Sequence, residues 1–150
     1  MPLSDHAEVT ETIFASPEKC FAVATDLDSY PSWASGITSV DVRQRDADGR
    51  PLEAVFQAEA MGRRTRYVLA YDYAEAPTSF RWRQLEGDLT KRLDGAYRFD
   101  VSAQAPDATD VTYELDVDLA VPLPGFVKRR AETKIVQAAL HQFRGRAETV

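Results

Sequence analysis

The sequence predicts an α+β domain in which a curved, seven-stranded antiparallel sheet surrounds one long C-terminal helix, with two short helices after the first strand. Three observations predict it. Between residues 37 and 120, apolar and polar side chains alternate in runs broken by turn residues, the two-residue period of strands. Beyond Pro122-Leu123-Pro124-Gly125 the period turns helical and stays so through Glu148. The chain has 150 residues, 44% apolar and 28% charged, which is enough for one core and too little for two. A single domain over 1–150 follows, and its last helix is the only element long enough to cover the apolar side of the sheet.

The elements follow in order. Residues 8–15 alternate, with Val9, Glu11 and Ile13 on one side and Thr10, Thr12 and Phe14 on the other. Ser16-Pro17-Glu18 then starts a helix over 17–25: serine caps the free N–H groups, proline loses nothing at the first position, and the glutamate suits the positive dipole end. Asp28-Ser29-Tyr30-Pro31-Ser32-Trp33 restarts a helical turn that ends by Gly36. Strands follow at Ile37–Asp46, Leu52–Met61, Arg64–Tyr73, Phe80–Leu85 and Leu89–Val101. The loop Asp46-Ala47-Asp48-Gly49-Arg50 closes the first hairpin. In Val111–Val121 the odd-numbered residues Val111, Tyr113, Leu115, Val117, Leu119 and Val121 share one face, and Thr112, Glu114, Asp116 and Asp118 the other. The final helix is predicted over 122–148. Its broad apolar arc holds Val127, Ala131, Ile135, Val136, Ala138, Ala139, Leu140, Phe143 and Ala147.

Composition narrows the function classes. The net charge is −6, so the molecule as a whole has no long-range attraction for phosphate backbones, and no nucleic-acid partner is expected. Charge is unevenly spread: residues 100–121 hold six acids and no base, whereas 122–150 hold six bases and two acids. A single cysteine, Cys20, suits a reducing compartment. Neither a signal peptide nor a membrane span is written in the chain, and a cytoplasmic location is the expectation. His6, His141 and Cys20 lack metal-ligand spacing, and no phosphate-binding glycine loop or nucleophile elbow occurs. Neither a metal nor a cofactor is expected. Arg63-Arg64-Thr65-Arg66 lies on a strand and reads as a solvated edge.

Residues 13–21 (Ile-Phe-Ala-Ser-Pro-Glu-Lys-Cys-Phe), 26–33 (Asp-Leu-Asp-Ser-Tyr-Pro-Ser-Trp), Trp82, Gly95-Ala96-Tyr97-Arg98-Phe99 and Val121-Pro122-Leu123-Pro124-Gly125-Phe126 together resemble the START-like superfamily. Within it, the chain is similar to the polyketide cyclase/dehydrase group that also contains coenzyme Q-binding proteins. The resemblance spans nearly the whole chain, but its motifs are caps, turns and walls rather than a reaction centre. It implies a helix-grip fold with a deep apolar cavity for lipids, quinones, polyketides or hormones.

On that basis the candidate cavity lining comes from three regions: Trp33 on the short helical turn; Phe56, Tyr67, Leu69, Trp82, Tyr97, Phe99 and Tyr113 on strands; and Phe126, Val127, Ala131 and Ile135 on the last helix. For Trp33 and Trp82, plain core packing and cavity lining both remain open. Lys128 and Glu132 fall near the middle of the apolar arc. Either the first turn of the helix lies outside the core, or they line the cavity mouth together with Arg130. Two functions are weighed. A carrier or sensor of a small hydrophobic ligand, as monomer or homodimer, requires only enclosure and a few polar groups. A polyketide aromatase/cyclase also requires a proton donor and acceptor within about 3 Å of the reacting atoms. Its candidates are Glu86, Tyr97, Tyr113, Arg130 and Glu132, and the want of an evident acid–base pair favours binding.

Overall fold

The computed structural model describes residues 5–60, 62–120 and 124–150. Seven strands form one antiparallel sheet: β1 (Asp5–Ile13), β2 (Ile37–Arg45), β3 (Pro51–Ala60), β4 (Arg63–Asp72), β5 (Ser79–Gly87), β6 (Thr90–Val101) and β7 (Thr109–Leu119). Their order across the sheet is β1-β7-β6-β5-β4-β3-β2, a continuous meander from β2 to β7 with β1 added beside β7. Between β1 and β2 run α1 (Pro17–Thr25), a 3₁₀ turn (Leu27–Ser29) and α2 (Tyr30–Trp33), and the chain ends with α3 (Gly125–Thr149). This is the helix-grip architecture expected. Met61 and Val121, expected at strand ends, and Pro122 and Leu123 lie outside the described residues.

Local chemistry sets the boundaries. The Ser16 hydroxyl accepts the Lys19 N–H at 3.2 Å, with Pro17 in the first turn of α1. Gly49 supplies the positive φ, +82°, that turns the β2–β3 hairpin, while the Asp46 carboxylate accepts the Asp48 and Arg50 N–H groups at 3.0 and 2.9 Å. β1 ends at Ile13, two residues earlier than the alternation predicts. There the chain turns so that the Thr109 hydroxyl donates to the Ala15 carbonyl at 2.7 Å, tying the start of β7 to the entrance of α1.

One face of the sheet looks inward. On β7 every residue from Thr109 to Leu119 alternates between buried and half-buried, as the sequence predicts. The inward side chains of the neighbouring strands follow from register: Tyr113 opposes Tyr97, Tyr97 opposes Phe80, and Trp82 opposes Tyr71. α3 packs on β1 and β7 and meets α1 and α2 on its flank. Its buried stripe is Glu132, Val136, Leu140, Phe143 and Ala147, spaced by three and four residues.

Because β1 and β2 occupy opposite edges, the segment joining them crosses the open side of the sheet. That crossing carries Tyr30 and Trp33 over the inner face, where Trp33 stacks edgewise against Phe143 at 6.2 Å and Tyr30 lies 6.3 Å from Phe56. Gly95 is the second device. It faces Trp82 across β5 and β6, and a Cβ there would run into the indole ring and stand 2.7 Å from the Glu114 carbonyl oxygen. The missing side chain lets Trp82 lie flat over β6 against Tyr97 and Tyr113. Gly95→Ala is therefore expected to destabilise the domain by about 1–3 kcal/mol, as overpacking does. Urea unfolding followed by tryptophan fluorescence measures it, and unchanged stability would show that Trp82 has room to move.

Candidate functional site

On the inner face of the sheet, aromatic side chains gather. Phe56 stacks on Tyr67 at 5.2 Å, Tyr30 meets Trp33 at 4.9 Å, and Trp82 has Tyr71, Phe80, Tyr97 and Tyr113 around it at 5.7–6.1 Å. Tyr97 and Tyr113 touch at 4.8 Å, and Tyr97 reaches Phe143 of α3 at 5.3 Å. Such offset and edge contacts are the favoured aromatic geometries and make a stiff wall.

The wall is also polar at particular points. The chain has six tyrosines, and all six lie in this interior. Tyr30 donates its hydroxyl to the Ala24 carbonyl, and Tyr73 donates to the Pro51 carbonyl at 2.6 Å. The Trp33 Nε1–H is buried and has no hydrogen-bond partner among the described residues. Burial raises the pKa of every one of these tyrosines above the usual phenol value, and for all but Tyr67 neighbouring tyrosine or carboxylate groups add to the shift. At neutral pH they are uncharged donors. Proteins rarely bury a donor without an acceptor, which makes the Trp33 N–H the unexplained polar group of this wall.

Most of the predicted strand residues converge here. Phe56, Leu69, Trp82, Tyr97, Phe99 and Tyr113 are buried, and Tyr67 and Trp33 are half-buried. On α3 the outcome is mixed. Val127 and Ala131 are half-buried, and the side chains of Phe126 and Lys128 lie outside the described residues. Ile135 is a correction: it is 45% exposed, not inward. Val136, one residue on and about 100° around the helix, takes the inward position, because the alanines at 131, 138 and 139 widened the apparent arc and shifted its centre. Glu132 is buried at 2%, so this part of α3 is inside the core; Arg130 is exposed. Glu86 is exposed at the end of β5 and does not join the interior.

Three contributors were missed. Tyr71 and Tyr73 continue the same alternation as Tyr67 and Leu69, and Tyr30 lies three residues before Trp33, hence on the same side of one helical turn. Both spacings were sufficient signals.

The outer face is different in kind. A hollow of about 510 Å³ is lined there by Arg81, Arg83, Arg92, Asp94, Glu114 and Asp116. Arg81 pairs with Glu114 at 3.1 Å, Arg92 with Asp94 at 2.9 Å, and His6 with Asp116 at 2.8 Å. Arg81–Glu114 and His6–Asp116 join different strands and Arg92–Asp94 lies along β6; such solvent-exposed pairs contribute little each. Among the described residues no cluster has the make-up of a metal site, and no helix is long and apolar enough to cross a membrane.

Residues 4–148 match the family described as polyketide cyclase/dehydrase and lipid transport. The chain belongs to that family. A START superfamily protein from Mycobacterium smegmatis shares the fold with a TM-score of 0.87 and 24% identity, over 95% of this chain and 97% of its own. The Zhui aromatase/cyclase from Streptomyces sp. R1128 does so at 0.77 and 18%, over 95% and 93%. Ginseng major latex-like protein 151 from Panax ginseng follows at 0.70 and 11%, over 95% and 96%. At these identities the likeness shows the fold alone. None of the curated proteins is similar in sequence.

The neutral tyrosines give a pH prediction. Above pH 10 the unfolded chain loses phenolic protons that the folded chain keeps, so the native state binds more protons and stability falls as pH rises from 10 toward the raised folded values. Absorbance at 295 nm should show little tyrosinate at about pH 11 until the protein unfolds, and then a cooperative rise. Gradual ionisation of several tyrosines in folded protein would contradict the burial.

Proposed function

We propose that the protein binds a small, largely apolar aromatic molecule bearing hydrogen-bond acceptors, in the space between the inner face of β3–β7 and α3. The observation that carries this reading is the Trp33 indole N–H, buried without a partner among the described residues, on a wall of aromatic rings that includes six tyrosines. Aromatic enclosure supplies affinity, and the donor selects carbonyl-type oxygens and fixes orientation. A carrier role draws support from the family description, which includes lipid transport.

A cyclase reading has the Zhui aromatase/cyclase as its support. Its chemistry asks for a base, and tyrosines pushed further from neutrality by burial hold their protons and act as donors only. Binding is therefore the reading the interior favours.

Titration calorimetry with two probes of nearly equal shape tests it. 1,4-Naphthoquinone, which only accepts hydrogen bonds, is expected to bind about tenfold more tightly than naphthalene, the worth of one good hydrogen bond. Trp33→Phe, which keeps a ring and removes the N–H, should erase most of that preference and leave naphthalene nearly unchanged. No binding of either probe, or a preference that survives Trp33→Phe and Tyr→Phe changes at 67, 71, 97 and 113, would overturn the reading.

A further inference from the structure

Between β5 and β6 the sheet is split. Asp88 and Leu89 alone connect these strands, and a two-residue hairpin normally carries its backbone ladder up to the turn. Here the ladder stops early. It runs from Ser79 opposite Arg98 to Trp82 opposite Gly95, and the pairs that would continue it, from Arg83 opposite Asp94 to Gly87 opposite Thr90, are not made. By contrast, β1 and β7 pair at nine consecutive positions, and β3 and β4 at eight. The parted ends are nevertheless anchored. Glu86 and Gly87 pair with Val68 and Tyr67 of β4, and the Asp88 carboxylate accepts the Arg66 N–H at 3.1 Å and the Thr65 hydroxyl. On the other side Thr90 and Leu93 pair with Leu119 and Val117 of β7, and the Leu89 carbonyl accepts the Ala120 N–H at 2.8 Å. The strands part because each is committed to its outer neighbour.

Side chains close the split, and Gln84 takes part in each bond. Its backbone N–H donates to the Asp94 carboxylate at 3.0 Å, its Nε2 donates to the Thr90 carbonyl at 2.8 Å, and its amide oxygen accepts the Thr90 hydroxyl. Gly87 makes room for that amide, since a Cβ there would stand 2.6 Å from Nε2. On the outer face the hollow of about 510 Å³ reaches this line: Trp82 and Gly95, the last pair of the ladder, are in its lining, beside Arg83, Arg92 and Asp94. On the inner face Trp82 continues into the aromatic wall through Tyr97 and Tyr113. The Gln84 clasp and the Trp82 ring stand between the two. We propose, on the strength of the ligand reading above, that this split is the passage by which the interior takes up and releases its ligand, with Gln84 as the latch. Parting two laddered strands breaks backbone bonds all along the line. Parting these breaks bonds that share one residue and leaves the β4–β5 and β6–β7 ladders standing. Once it lets go of Thr90, the Gln84 amide is also a donor for a carbonyl-bearing molecule in transit.

Stopped-flow tryptophan fluorescence of the whole protein with 1,4-naphthoquinone tests it. Gln84→Ala removes both bonds to Thr90, so association and dissociation should each quicken about tenfold while Kd stays unchanged, because the same opening precedes entry and exit. Gly87→Ala should quicken both rates in the same way, since its Cβ displaces the Gln84 amide and leaves residue 84 in place. The Gly87 backbone lies outside the left-handed region, so alanine is accommodated there and keeps the test open if Gln84→Ala fails to fold. Hydrogen exchange reads the latch with no ligand present. In Gly87→Ala the residue 84 amide should exchange about tenfold faster, and the amides of Phe80 to Trp82 should keep their protection. Quinone that binds but exchanges at wild-type rates in both variants, or variants that only lower affinity through faster dissociation, would overturn the passage. So would unchanged protection at residue 84, or protection lost along the whole of β5. A quinone that does not bind the wild-type protein overturns the ligand reading instead, and the exchange of residue 84 then decides the latch by itself.

Discussion

One helix cannot cover seven strands. Strands lie about 4.8 Å apart, so the sheet is roughly 29 Å wide across its inner face, whereas a helix with its side chains is about 10–12 Å across. Curvature brings the edges closer but does not remove the mismatch. α3 settles on β1 and β7, and the inner faces of β3 to β6 must be closed by something else. The crossing from β1 to β2 supplies part of the cover through Tyr30 and Trp33. Large rings on the sheet itself supply most of the rest: Tyr71, Phe80, Trp82, Tyr97 and Tyr113 form one continuous cluster, and the Phe56–Tyr67 stack joins it through Tyr30, Trp33 and Phe143.

The same mismatch sets the chemistry. Stacked rings stand as a wall and keep their shape. Tyrosine places a hydroxyl at the tip of each ring, so the surface presented to the interior is apolar on its faces and hydrogen-bonding at its ends. Burial keeps those hydroxyls protonated. Under the proposed binding reading, such a wall would discriminate by acceptor position and ring size. Glu132, buried in the stripe of α3, is the one carboxylate that the helix brings into the core.

Much of this was legible in the sequence, for reasons that can be named. β7 alternates without exception, and the switch from a two-residue to a helical period after residue 120 separates sheet from helix. Ser16-Pro17 and Gly49 mark boundaries through backbone chemistry that does not depend on tertiary context. The phase of α3 was less secure. Alanines fit either side of a helix, so an arc drawn from apolar residues alone included Ile135, and the tertiary contacts of Val136 and Phe143 decided otherwise. The unsatisfied Trp33 N–H was not legible at all. Whether Trp33 finds an acceptor depends on what stands opposite it after the chain has crossed the sheet, a long-range fact that local spacing does not encode.

The central claim is that the uncovered inner face receives an acceptor-bearing ligand through the Trp33 N–H. The chain has two tryptophans, so a proton–nitrogen correlation spectrum has two indole signals, and Trp33→Phe identifies one of them. On addition of 1,4-naphthoquinone the Trp33 signal should move downfield, as an N–H does when it gains an acceptor, and naphthalene should leave it nearly in place. A Trp33 signal that ignores the quinone, or that responds identically to both probes, would contradict the account.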